Sequence, residues 1–303
     1  MAPGPVGSAA AGQGGVTVDT DDEDLLAPFL AARPQDPKAE RLRAHLREDK
    51  RRGQRHLPRK AAALSRDEIV RVAIRVADAE GPDAVSMRRI ARELNAGTMS
   101  LYWHIVSKEE LLDLMLDTVQ GDRENPEPSG DWRRDMREVA CATRQTLHEH
   151  PWMMDFIGGR PPVGPKSLRN LERTLAYFDG LSLDLPLAID IATTVGTYVM
   201  GAVLREVQEG RSEIITQQAF SELTEAERQE VVGEFTERVR ASGRYPHLAG
   251  LLSARYDPDA AETRDARFEF GLDCLLDGIA ARIAGRKAGG PPAGAELAGG
   301  PPG

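Results

Sequence analysis

Residues 185–204 read LPLAIDIATTVGTYVMGAVL, the one long apolar run in the chain. By length alone it can cross a bilayer. However, Asp190 sits inside it, three threonines dilute it, and no second run accompanies it. A helix that is apolar nearly all round is buried somewhere. The run therefore predicts a buried helix in a helical core, with no membrane partner. A monomer has too little surface to hide such a helix, so a second copy of the chain is expected to cover part of it. The expected homodimer uses two late helices, about 186–209 and 261–284. Phe268, Leu272, Leu275, Leu276 and Ile279 recur at helical spacing in the second. Gly196 and Gly201 permit close helix approach in the first.

Elsewhere helical spacing dominates and alternating strand pattern is almost missing, which makes the fold class all-α. Ser65 followed by Glu68 is a capping-box signature, and Ile69, Val72, Ala73 and Val76 follow at helical spacing before Gly81-Pro82 stops the helix. Ser86 opens a second helix whose apolar face is Met87, Ile90, Ala91 and Leu94, with Arg88, Arg89 and Arg92 pointing elsewhere. Asn95-Ala96-Gly97 is a turn, since Asn and Gly tolerate left-handed backbone. A short third helix runs from Thr98 to about His104. Ser107 and Glu110 then open a fourth, which ends at Gly121. Three short helices with a tight turn before the third form a helix-turn-helix, whose last helix lies in the DNA major groove. On that reading Leu101 anchors the short helix, while Tyr102 and Trp103 meet the duplex.

Charge is distributed unevenly. Residues 1–37 hold six acids and one arginine, and residues 38–60 hold ten Lys or Arg against three acids. A basic segment on a chain of net charge −9 reads as an arm that meets a polyanion. The organisation that follows is a disordered acidic tail (1–37), a basic arm (38–60), a helix-turn-helix head (61–120), a larger helical ligand-binding and dimerisation domain (121–285) and a disordered Gly/Pro-rich tail (286–303). Two cysteines, Cys141 and Cys274, exclude a disulfide framework and a four-cysteine metal site, and fit a reducing cytoplasm. The N-terminus has no positive region followed by an apolar run, so no leader peptide is expected. Nucleophile elbow, phosphate loop and His-Glu-x-x-His motifs are missing, so no enzyme is expected. His148 and His150 are two apart and do not share a helix face, which argues against a metal pair.

The segment VSMRRIARELNAGTMSLYWHIVSKEELLDLMLD resembles the DNA-binding segment of the tetracycline-repressor (TetR/AcrR) regulators. A weaker resemblance to their regulatory domain continues through residues 150–210. It implies an all-α homodimer with a three-helix head, a connecting fourth helix, and a ligand-binding body that dimerises through two late helices. By position, Arg88 matches a base-contacting arginine, and Thr98, Met99 and Tyr102 match base-reading places. Met87, Ser100, Trp103 and Lys108 match phosphate-contacting places. Met87 and Met99 depart from the tetracycline repressor, so its operator sequence does not transfer. Phe156, before Gly159-Arg160-Pro161, stands where a magnesium-coordinating histidine falls in that repressor, and Arg205 stands where an acid falls. The residues therefore do not match a metal-chelated tetracycline, and no cofactor is expected. The candidate effector contacts are Trp152, Met153, Phe156, Thr174, Tyr177 and Phe178, with Tyr198 and Arg205 as polar partners. Together they outline a mostly apolar pocket. The expected partners are a double-stranded DNA operator, a small-molecule effector and a second copy of the chain. A dimeric regulator without an effector, and an activator, are the alternatives.

The arm makes a measurable prediction. Each duplex phosphate it neutralises adds about 0.9 to the slope of log affinity against log salt. Deleting residues 1–60 is expected to weaken cognate and random DNA together and to flatten that slope by several units. Deleting residues 1–37 alone, which removes the competing acids, is expected to leave affinity equal or raise it. An unchanged slope in the longer deletion would leave the head helices as the only DNA contact.

Overall fold

The computed structural model describes residues 64–123, 125–156, 164–219, 224–254 and 260–288. The acidic tail, the basic arm, the Gly159-Arg160-Pro161 loop and the tail from residue 289 lie outside them. The described elements are helices: α1 (Arg66–Glu80), α2 (Met87–Glu93), α3 (Thr98–Tyr102), α4 (Lys108–Asp122), α5 (Trp132–Glu149), α6 (Pro165–Ala176), α7 (Leu185–Ala219), α8 (Glu225–Ser242), α9 (Pro246–Ser253) and α10 (Ala261–Ala288). Short 3₁₀ turns lie at Pro82–Ala84 and Pro151–Asp155. The last helix thus runs to Ala288, past the expected start of the tail.

Helices α1 to α3 form the head. Ser65 Oγ accepts from Glu68 N at 3.0 Å, so the serine half of the expected capping box is made. At α4 the second half is redirected. Ser107 Oγ accepts from Glu110 N at 3.0 Å, but the Glu110 carboxylate accepts from Val106 N at 3.0 Å and from Arg66 at 2.7 Å. A reciprocal capping box does form at Thr224 and Glu227, ahead of α8. In the turn between α2 and α3, Asn95 takes the left-handed backbone at φ 48°, whereas Gly97 caps α3 with φ −77°. Helix α3 ends at Tyr102, two residues earlier than expected. A helix this short is not stable alone. Leu101 and Ile105, both fully buried, hold it against the head core. Each such burial is worth roughly 1.5–3 kcal/mol.

Helix α4 leaves the head and enters the body. It packs on α1 at its start and on α6 further along. At that second contact, buried Asp117 accepts from Ser167 N at 2.9 Å and from Ser167 Oγ at 2.8 Å through one oxygen, Oδ1. Ser167 N is one of the free donors in the first turn of α6, so a side chain of α4 caps α6 from across the interface. Gly164, immediately before α6, is forced by this contact. A Cβ there would lie 2.0 Å from Asp117 Oδ1.

In the body α5 packs on α7, and α6 and α10 also pack on α7. Arginines of α5 meet acids of α10 in reverse order. Arg133 pairs with Asp277 at 2.7 Å, Arg137 with Asp273 and with Glu269, and Arg144 with Asp265 at 2.8 Å. The acids are about half exposed or more, so these pairs fix an antiparallel register and add little stability. Glu206 and Glu209 of α7 are buried and must be paired. Arg144 and His148 meet Glu206 at 3.1 and 2.6 Å. Arg267 and Arg205 meet Glu209 at 2.7 and 2.5 Å.

The long apolar run is not buried all round within one chain. Ala188, Ile191, Val195, Val199 and Val203 face inward. Leu185, Ile189 and Leu204 are exposed, as is Phe270 of α10. By length and composition Leu185–Gly210 would suffice to cross a membrane, yet its inward face packs on α5, α6 and α10. Helices α8 and α9 pack on one another and expose Val231, Val232, Phe235 and Leu248.

Gly164→Ala is expected to displace the Asp117 carboxylate and cost about 1–3 kcal/mol. Gly250→Ala, where a Cβ meets nothing within 4 Å inside α9, is the control. It is expected to be neutral or to stabilise by up to about 1 kcal/mol. Urea unfolding at one fixed chain concentration compares the two. Equal midpoints would remove the steric role of Gly164.

Candidate functional site

The head presents one surface made by what α3 does not bury. With Leu101 turned inward, Met99 is 59% exposed, and Thr98, Ser100, Tyr102 and Trp103 are partly exposed beside it. Tyr102 also packs against the hydrophobic core, so part of its ring serves the head itself. Arg88 is exposed in the first turn of α2 and makes no hydrogen bond or ion pair with a described residue. Its neighbour Arg89 differs. It binds Glu80 and Glu93, each at 2.6 Å, and those two carboxylates push its guanidinium further above its already high range. Lys108 is exposed at the first position of α4. Met87, by contrast, is buried in the head core, so its side chain is withdrawn from the surface where the resemblance put it. The head thus offers one guanidinium, one ammonium, hydroxyls and two rings at exposed or partly exposed positions. Such a set can bond phosphate and base edges.

The body holds a cavity of about 520 Å³ between α4, α5, α6 and α7. Leu116, Asp117 and Gln120 of α4 form one wall, and Met136, Val139 and Thr143 of α5 another. Leu171 and Thr174 of α6, with Val195, Gly196 and Met200 of α7, close the remaining sides. A smaller space of about 260 Å³ adjoins it and shares Gln120, Val139, Thr143 and Thr174. Its wall adds Arg123, Asn125 and Met153.

Of the eight effector contacts expected from sequence, Phe156 and Thr174 line the larger space, and Met153 and Thr174 the smaller. The other five lie off both walls and have structural work. Trp152 Nε1 donates to Asp78 Oδ1 at 2.7 Å, linking the body to α1. Tyr177 donates to Pro126 O at 2.7 Å, and burial pushes its hydroxyl up to about 12. Phe178 packs on the ring of Trp132. Tyr198 donates to Phe268 O at 2.7 Å and packs on the Phe268 ring, and burial raises its pKa. Arg205 is spent on Glu209. Sequence reasoning missed the inward residues of α4 and α5. Leu116 and Gln120, or Val139 and Thr143, stand four apart on their helices, but that spacing also describes a solid core.

The chain matches two family profiles: residues 69–115 match the "Bacterial regulatory proteins, tetR family", and residues 125–283 the "Tetracyclin repressor-like, C-terminal domain". It is 38% identical over 228 residues to the HTH-type transcriptional repressor DrrR1 of Streptomyces coeruleorubidus, covering 74% of this chain and 80% of that one. Among solved structures it is similar to apo ActR from Streptomyces coelicolor, with a TM-score of 0.58 and 31% identity over 75% of this chain and 98% of that one. It is also similar to ActR in complex with actinorhodin, with a TM-score of 0.56 and 29% identity over 72% and 96%.

Proposed function

This chain belongs to the tetracycline-repressor family of bacterial regulatory proteins, and on that footing we propose that it is a homodimeric repressor, released from a palindromic operator by a small, largely apolar effector. The observation that carries this is the shared wall. Leu116, Asp117 and Gln120 line the cavity, and they belong to the same helix whose start packs under the head. A molecule in the cavity therefore touches the element that holds the reading surface. The cavity size suits a small ligand, and its wall is mainly apolar with a few polar groups, as such sites are. That ActR has been solved with actinorhodin supports a body that takes a small molecule. The exposed strip of Ile189, Leu204 and Phe270 supports a second copy packed on α7 and α10. The place of action is the cytoplasm, where the DNA is.

In this reading Arg88, Thr98, Met99 and Tyr102 read bases, and Ser100, Trp103 and Lys108 hold phosphates. The test uses operator DNA selected from random fragments. Arg88→Ala is expected to lose about 1–3 kcal/mol on the selected site alone. Tyr102→Phe, which keeps the packed ring, is expected to lose selectivity through its missing hydroxyl. Lys108→Ala is expected to weaken selected and random DNA about equally, because phosphate carries no sequence information. Full selectivity in both of the first two variants would refute the reading surface. Light scattering at micromolar chain is expected to return two chains, and a monomer would refute the dimer.

A further inference from the structure

Asp117 is only 8% exposed and lines the cavity. Both of its hydrogen bonds, from Ser167 N and Ser167 Oγ, end on Oδ1. Oδ2 has no hydrogen-bond partner among the described residues, and it is not sealed off from the space the residue lines. A carboxylate oxygen held in a mainly apolar cavity is costly unless something donates to it. The described residues lining this larger space include no Lys, Arg or His. Arg123 belongs to the smaller adjoining space and is directed to Ala142 O at 3.3 Å and to Glu149.

We propose that Asp117 is the specificity-determining residue of the cavity, and that its ligand carries a cationic N–H donor, an ammonium or a protonated ring nitrogen, on an apolar ring body. This rests on the reading of the cavity as the effector site. The donor meets Oδ2 while Oδ1 keeps its bonds to the first turn of α6. The ring body lies against Leu116, Val139, Leu171 and Met200. An anionic ligand of the same shape is disfavoured, since it brings like charge to the Asp117 carboxylate.

Three fluorescent probes with one shared ring test this on the full chain: 9-(aminomethyl)anthracene, 9-anthracenemethanol and 9-anthracenecarboxylate. The ammonium probe is expected to bind about tenfold or more tighter than the carboxylate, the scale of a charge-assisted hydrogen bond. Asp117→Asn keeps an oxygen to cap α6. It is expected to weaken the ammonium probe by about tenfold and to leave the alcohol unchanged. Equal binding of the three probes, binding of none, or an ammonium preference that survives Asp117→Asn would overturn the proposal. Should that variant fail to fold, the ranking of the probes by the unaltered chain decides alone. Operator affinity is read in the same samples. Asp117-dependent ammonium binding with no loss of operator affinity would uphold the cation site and overturn the effector reading instead.

Discussion

Helix α4 has to satisfy two neighbours at once, and how the head is held against α6 follows from how it does so. Leu111, Leu112 and Met115 bury its first half, and Val119 its second. A fifteen-residue helix spans about 22 Å, so both ends move as one rigid rod unless it bends. At the head end Glu110 ties it to Arg66 of α1. At the body end Asp117 caps α6, and Asn170 of α6 donates to Gln120 O at 2.7 Å. A second tether runs beside it, where His150 and Trp152 both meet Asp78 of α1 at 2.7 Å. Any shift of α6 relative to the head must therefore disturb either the Asp117 cap or the Arg66–Glu110 pair. Both are polar contacts with directional geometry, and both lose more when misaligned than an apolar contact does.

The head was legible because its signals are local. Ser65, Ser86 and Ser107 each sit one residue before a helix and each accept the expected backbone N–H. Asn95 marks a turn by a backbone conformation that few residue types adopt. What sequence misjudged there was still local: Gly97 is extended, whereas Met87 is core as its apolar spacing required, and only the positional resemblance had set it against phosphate. The body was less legible, because the same periodicity serves three purposes. Val139, Ile191 and Val199 all stand at helical spacing, yet Val139 and Val199 line the cavity while Ile191 is buried off its wall. Aromatic residues misled for a related reason. Tyr177 and Tyr198 invite a ligand, but each hydroxyl is consumed by a carbonyl far away in sequence, Pro126 and Phe268. No spacing rule foretells such pairs.

The apolar run of α7 shows the limit of reasoning on one chain. Its periodicity required burial, and only one face is buried by α5, α6 and α10. The inward face carries Val195, Val199 and Val203, and one turn later the same face carries Glu206 and Glu209. Those acids are tolerated because Arg144, Arg267 and Arg205 reach them, so they fix which arginines of α5, α7 and α10 converge. The exposed side carries Leu185, Ile189, Gly201 and Leu204 together with Thr193, Thr194 and Thr197, and its charged members are Asp190 and Arg205. A sequence pattern that is apolar on two faces calls for two neighbours, and among the described residues one of those faces is covered.

The space of about 520 Å³ is partly open to solvent, so it holds water whenever no ligand fills it. Thr143, Thr174, Thr193, Thr197 and Gln120 supply hydroxyl and amide groups around an otherwise apolar wall, which makes it wettable. A ligand that matches both parts gains from displacing water off Leu116, Val139 and Met200. On the proposed reading it is selected by what it offers Asp117 and the threonines. The polar groups that let water into the cavity are therefore the ones that the proposed effector would meet.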